Sequence, residues 1–213
     1  MLQKSIEKNF QVCCLSKMEI PIFPLNGAIM FPNTNLPLNI FEERYIDMVD
    51  YSLSNNKIIG MIQHRPNDEL YNVGCYGKIT AFNETHDKRY IINLEGQECF
   101  KIIRELNSDQ KFRLCEIEIF EDYNNNKLSD KLKEELISFY KKYNEIKNIN
   151  LSFDEISHLN IVDLLKLIVM VSPFETGIKQ LCLENKSNSE LYESVLSALK
   201  IELVSNQNNF SIN

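Results

Sequence analysis

The stretch Phe23–Tyr45, FPLNGAIMFPNTNLPLNIFEERY, decides how the rest of the chain is read. It sets Pro24, Pro32 and Pro37 among the apolar residues Leu25, Ile29, Met30, Phe31, Leu36, Leu38, Ile40 and Phe41. Proline fixes φ and has no N–H to give to a ladder, so regular sheet cannot run through the whole segment. The pattern predicts a stiff extended excursion, pinned by its apolar side chains, that ends in a helix from Glu42.

Working outward, the signals from Met18 to about Tyr123 are those of strands. Met18–Phe23 is a short apolar run ending at Pro24, and Leu36–Ile40 is a second. Lys57–His64 is a third. In Tyr71–Phe82, Val73, Cys75, Ile79 and Ala81 share one face, and Asn72, Lys78 and Thr80 the other. Period 2 of this kind marks a half-buried strand. Tyr90, Ile92 and Leu94 alternate likewise, as do Cys115, Ile117 and Ile119. Asn83–Lys88 reads as the turn of a hairpin, and Gly96 as a break before another pair of strands. Short strands with polar turns suggest a closed or nearly closed antiparallel barrel. One helix, Glu42–Leu53, interrupts them, with Tyr45, Met48, Val49 and Leu53 at helical spacing.

Beyond Asn124-Asn125-Asn126 the pattern turns helical. Ser129 can cap a helix bearing Leu132, Leu136, Phe139, Tyr140, Tyr143 and Ile146. That stripe is broad enough to seek a partner surface outside its own bundle. Asn160 with Asp163 opens an apolar helix to Val171, which Pro173 ends. A further helix is expected over Glu175–Glu184. Ser187 with Glu190 forms a capping box for the last one, striped with Leu191, Val195, Leu199 and Leu203. The linker at Asn124–Lys127 is short and holds no proline or glycine, so the β and α halves should behave as one unit.

Composition narrows the function. The chain has 213 residues, 44% hydrophobic and 25% charged, as in an ordinary globular protein. At about 150 residues per domain, that is one domain or two packed pieces. The formal net charge is −7, and residues on either side of position 125 are each acidic on balance. A non-specific nucleic-acid binder needs a basic footprint, so this balance speaks against one. The N-terminus carries only Val12–Leu15 as an apolar run, far short of a signal-peptide core of about 7–15 residues. Ile161–Val171 spans 11 residues and includes Asp163 and Lys166, whereas a membrane span needs about 20 apolar residues. A cytoplasmic protein without membrane contact is expected.

Little in the chain points to catalysis. There is no G-x-x-x-x-G-K-[ST], no G-x-G-x-x-G, no G-x-S-x-G and no H-E-x-x-H. His64, His86 and His158 lie far apart. No two of Cys13, Cys14, Cys75, Cys99, Cys115 and Cys182 have the C-x-x-C spacing of zinc or redox sites. Neither a metal nor a cofactor is expected. A Cys–His nucleophile can meet only in space, and Cys75 lies on the apolar face of its strand, where a core thiol is the simpler reading.

The opening stretch closely resembles the start of the LON domain, the N-terminal substrate-binding domain of Lon ATP-dependent proteases. The matching residues are Phe23-Pro24-Leu25, Asn26-Gly27, Phe31-Pro32, Leu36-Pro37-Leu38, Ile40-Phe41-Glu42 and Arg44-Tyr45. The likeness continues through Ile59-Gly60-Met61, Val73-Gly74-Cys75, Leu94-Glu95-Gly96 and Cys99-Phe100-Lys101-Ile102. Cys99 and Lys101 stand where arginines are commoner in the family. It ends with Pro173-Phe174 and Lys179-Gln180-Leu181-Cys182-Leu183-Glu184, and covers roughly 18–204.

The resemblance implies an α+β fold: an antiparallel β-barrel-like (PUA-like pseudobarrel) subdomain over 18–123 with one inserted helix, then an α-helical bundle over 128–206, after an N-terminal extension, 1–17, expected to be dispensable. It implies a non-catalytic module of the kind found in stand-alone bacterial LON-domain proteins. Such a module would bind unfolded or extended protein segments, in quality control or as an adaptor beside a protease or chaperone. The wall expected to make contact is Leu25, Ile29, Met30 and Phe31, exposed as a patch. Pro24, Pro32, Pro37, Gly74 and Gly96 are expected as backbone devices. Phe41, Glu42, Arg44 and Tyr45 complete the motif, with a local ion pair between Glu42 and Arg44. Two other readings stay open on the residues: a cysteine-dependent hydrolase and a nucleic-acid-binding barrel.

Overall fold

The computed structural model describes residues 17–65, 69–119, 123–149, 156 and 158–210. Six strands come first: β1 (Lys17–Leu25), β2 (Asn35–Ile40), β3 (Ile58–Gln63), β4 (Val73–Glu84), β5 (Tyr90–Leu106) and β6 (Arg113–Ile119). Helix α1 (Glu43–Ser54) lies between β2 and β3. Helices α2 (Asp130–Lys147), α3 (Ile161–Val171), α4 (Thr176–Glu184) and α5 (Asn188–Phe210) follow. The extension 1–17, apart from Lys17, lies outside the described residues.

The strand order is β2-β5-β4-β3-β1-β6, and β6 also pairs with β5. Strand β5 is long enough to serve twice. Its first half pairs with β2 and its second half with β6, so the sheet rolls up barrel-like. All but one of these pairings are antiparallel; β1 and β3 run parallel. The sheet is therefore mixed rather than antiparallel throughout. Between β1 and β3 the chain passes through the excursion, β2 and α1, a connection long enough to return it in the same direction.

Two expected breaks do not occur. Strand β1 continues through Pro24, which pairs with Ile62 of β3. The β1–β6 ladder has already ended at Ile22–Arg113, so Pro24 has a ladder on one side only and its missing donor is tolerated. Gly96 does not divide β5. It sits beside a register shift against β4, between Tyr76 and Gly77, and the strand runs on.

The alternation in the strands builds two apolar clusters. Ile20, Ile22, Ile62, Phe100, Cys115, Ile117 and Ile119 fill the inside of the roll. Gly60 and Gly74 make room for them. A Cβ on Gly74 would stand 2.3 Å from the Met61 carbonyl oxygen and 2.6 Å from the Phe100 ring. The opposite face carries a larger cluster shared with the helices. It includes Phe23, Ile59, Met61, Ile79 and Leu94 from the sheet, Met48 and Val49 from α1, and Leu136, Leu164, Leu165 and Leu196 from the helices beyond. One core thus runs from sheet to bundle.

The helical caps follow the sequence. Asp163 N–H donates to Asn160 Oδ1 at 2.9 Å, and Glu190 N–H donates to Ser187 Oγ at 3.2 Å. Helix α5 packs against α2, α3 and α4, while α4 meets β4. Helix α2 packs chiefly on α5 and α3. Among the described residues no helix is long and apolar enough to cross a membrane.

Candidate functional site

Residues 26–34 form the excursion between β1 and β2. Its middle is interior. Ile29, Met30 and Phe31 are 3%, 1% and 4% exposed, and Leu25 is half-buried. The exposed apolar patch expected over Leu25–Phe31 is therefore absent. The reason is on both sides of the segment. Below it, Gly77 and Gly96 open a recess for Met30, whose Cε lies 2.8 Å from where a Cβ on Gly77 would stand. Asn33 N–H donates to Gly96 O, and Gly96 N–H donates to Thr34 O, each at 2.8 Å. The Thr34 hydroxyl closes the turn on Phe31 O at 2.7 Å.

Above it, two helical lysines hold its carbonyls. Lys166 Nζ of α3 donates to Pro32 O at 2.9 Å. Lys179 Nζ of α4 donates to Gly27 O at 2.8 Å. Lys179 is 5% exposed. Burial pushes both ammonium groups below the ordinary lysine range, and the carbonyl partners offset part of that desolvation. Gln180 extends the joint: its Nε2 donates to Val73 O at 3.0 Å, and Gln63 Nε2 donates to Gln180 Oε1 at 3.0 Å. Sequence reasoning missed these lysines as struts. The signal was a lysine in each of two apolar helical stripes, at positions 166 and 179.

The seam beside Met30, where the excursion meets β3 and α4, holds about 10 Å³. That is the space of one water at most. It cannot take a peptide.

The motif residues after the excursion divide by role. Pro37 lies exposed on β2. Arg44 pairs with Glu42 at 2.9 Å, as expected. Tyr45 is buried, its ring 4.5 Å from that of Phe23, and the Arg44 guanidinium lies over it, 4.5 Å from the ring centre. Phe41, in contrast, is 63% exposed.

A roomier site opens where α2 crosses α5. The groove there measures about 430 Å³, within the range of ligand-sized clefts, ~300–1,000 Å³. Phe139, Ile146, Leu203 and Val204 give it an apolar floor, and Lys142, Lys200 and Glu145 its polar edge. Lys200 Nζ lies 5.0 Å and Lys142 Nζ 5.8 Å from the centre of the Phe139 ring. Two ammonium groups thus flank one apolar ring. The broad stripe on α2 explains the groove. Leu136, Tyr140 and Tyr143 are buried against the bundle, and Phe139 and Ile146 are left over at the stripe's edge. Helicity was readable in the sequence; which side of the stripe lacked a neighbour was not.

Three of the described thiols, Cys75, Cys115 and Cys182, are buried and poor nucleophiles. Burial pushes Cys75 well above its ordinary value, Cys115 to about 11 and Cys182 to about 12. Among the described residues no three His, Cys, Asp or Glu side chains gather as a metal ion would require.

Comparison with known proteins gives this geometry its context. The Lon N-terminal domain protein from Xanthomonas campestris superposes with a TM-score of 0.65 at 17% identity, covering 84% of this chain and 98% of that one. The N-terminal domain of Mycobacterium avium complex Lon protease gives 0.64 at 13%, covering 86% and 98%. At these identities the likeness shows the fold. In sequence, Lon protease 1 of Bdellovibrio bacteriovorus is 28% identical over 126 residues, which is 56% of this chain and 16% of that protein. Lon protease of Buchnera aphidicola subsp. Baizongia pistaciae is 24% identical over 201 residues, 87% of this chain and 25% of that protein. The chain spans a quarter or less of these relatives' length. The family model described as the ATP-dependent protease La (LON) substrate-binding domain matches residues 19–200. Sequence motif, fold and family match agree over nearly all of the described residues, and the chain belongs to the LON substrate-binding domain family.

Proposed function

We propose that this chain is a non-catalytic module that recognises unfolded or extended protein segments, and that the α2–α5 groove receives them. The family match over 19–200 carries the reading, because the model is that of a protease's substrate-binding domain. The groove supplies a place of suitable chemistry. Its apolar floor suits the apolar side chains of a segment laid along two helices. Lys142 favours a segment that carries an acidic residue beside its apolar ones, while Lys200 is shared with Glu135 at 3.8 Å. Delivery of such clients to a protease or chaperone would make the module an adaptor in protein quality control. The absence of nucleotide-binding and nucleophile motifs from the sequence supports binding rather than catalysis.

The test is binding of a permanently unfolded, alkylated client, read by fluorescence anisotropy. Ile146 and Val204 are 40% and 58% exposed, so Ile146→Glu with Val204→Glu leaves folding stability within about 0.5 kcal/mol. The double variant is expected to bind the client about tenfold more weakly, the loss of ~1.4 kcal/mol. Leu181→Glu, at a 57% exposed position on α4, should bind as the parent does. Unchanged binding by the double variant would remove the groove from the proposal.

A further inference from the structure

Cys75 and Cys99 face each other directly across the β4–β5 ladder. Opposed residues of an antiparallel pair project to the same side, with Cα atoms about 4.5–5.5 Å apart. That falls inside the roughly 4.4–6.8 Å window in which a disulfide closes. Both cysteines are free. They differ in access. Cys75 is 1% exposed, whereas Cys99 is half-buried. Lys166, whose ammonium donates to Pro32 O at 2.9 Å, feels the charge of both thiols.

We propose that Cys75 and Cys99 are a redox-sensitive pair, a modification site at which a peroxide attacks Cys99 and Cys75 closes the cross-strand disulfide. In the first step the Cys99 sulfur attacks a peroxide oxygen and the O–O bond breaks. Cys99 becomes a sulfenic acid, and the thiol proton leaves with the departing hydroxide as water. In the second step the Cys75 sulfur attacks the Cys99 sulfur. The S–S bond forms, the S–O bond breaks, and the leaving hydroxide takes the Cys75 proton. Two thiols and one hydrogen peroxide give one disulfide and two waters. Cys75 is 1% exposed and Cys99 only half-buried, so a peroxide reaches Cys99 and Cys75 enters in the second step. The product ties β4 to β5 and constrains the unfolded chain.

The experiment uses the full chain treated with hydrogen peroxide, then denatured, thiol-blocked, digested without reductant and mapped by mass spectrometry. A linked Cys75–Cys99 peptide is expected, with Cys115 and Cys182 recovered as blocked thiols. The oxidised chain should melt above the reduced one, and dithiothreitol should reverse the difference. Recovery of Cys75 and Cys99 as blocked thiols would overturn the proposal. So would a link from Cys99 to Cys13 or Cys14, or sulfinic acid at Cys99 with no linked peptide. In Cys75→Ala, the Cys99 sulfenic acid should persist and be trapped by dimedone, and failure to trap it would overturn the assigned order of attack. The unsubstituted chain decides the disulfide by itself where that variant does not fold.

Discussion

Gly96→Ala tests the joint between excursion and sheet most directly. A Cβ at position 96 would stand 2.1 Å from the Phe31 carbonyl oxygen, 3.0 Å from its carbon and 3.2 Å from Met30 Cγ. The nearest of these is backbone, so no side-chain rotation relieves it. The excursion must lift until that contact reaches at least 3.0 Å. Lifting strains the two 2.8 Å hydrogen bonds that join Asn33 and Thr34 to Gly96, each contributing about 0.5–1.5 kcal/mol. Overpacking beside Met30 costs ~1–3 kcal/mol more. The sum is roughly 2–6 kcal/mol, a large part of the ~5–15 kcal/mol that holds a domain together. At about 2–4 °C per kcal/mol for a chain of this size, the thermal midpoint should fall by roughly 5–20 °C. Thermal and urea unfolding followed by circular dichroism would measure it. Gly27→Ala is the control. There a Cβ meets nothing within 4 Å, but φ is +74°, so only the left-handed backbone strain of ~1–2 kcal/mol applies. If Gly96→Ala proves no more destabilising than Gly27→Ala, the close approach of the excursion to β5 is wrong.

Further outcomes follow from the same structure. Met30→Ala and Phe31→Ala should destabilise by about 2–5 and 3–5 kcal/mol, as core truncations do; changes within ~0.5 kcal/mol would mean that these residues are exposed contacts after all. Burial raises the Cys182 thiol from its ordinary 9.0 to about 12. Its contribution to stability is therefore complete below pH 9.0 and is lost as pH rises towards 12, because the unfolded thiol ionises first. The stability difference between the parent and Cys182→Ala should shrink over that window in urea titrations, and a difference independent of pH would contradict the assignment. Gly177, near the start of α4, has no neighbour closer than the Tyr71 hydroxyl at 4.0 Å, so Gly177→Ala should stabilise by ~0.5–1 kcal/mol. A fall in the midpoint would show that the space is not there. Finally, the purified chain should neither hydrolyse ATP nor cleave casein, and ATP-dependent casein degradation free of contaminating protease would overturn the non-catalytic reading.

The amino-acid order alone settled the types of most elements, though it broke β5 at Gly96, where one strand runs from Tyr90 to Leu106. Alternation in Tyr71–Phe82 and in Cys115–Ile119, the stripe on α2 and the Asn160–Asp163 and Ser187–Glu190 caps are local patterns, decided by side-chain direction and by hydrogen bonds a few residues apart. The proline-spaced motif of 23–45 was equally legible, and it carried the family. What the tertiary structure decided was which apolar residues meet a neighbour. Met30 and Phe31 look the same in sequence whether they line a groove or fill a core. They are core because Gly77 and Gly96 recess the sheet beneath them and because Lys166 and Lys179 reach over from helices more than a hundred residues away. Strand β1 runs through Pro24 because β6 has already left that side of it. Phe139 and Ile146 edge an open groove because α5 covers only part of the α2 stripe. Each of these depends on contacts between segments distant in the chain, and no local period encodes which distant surface will arrive.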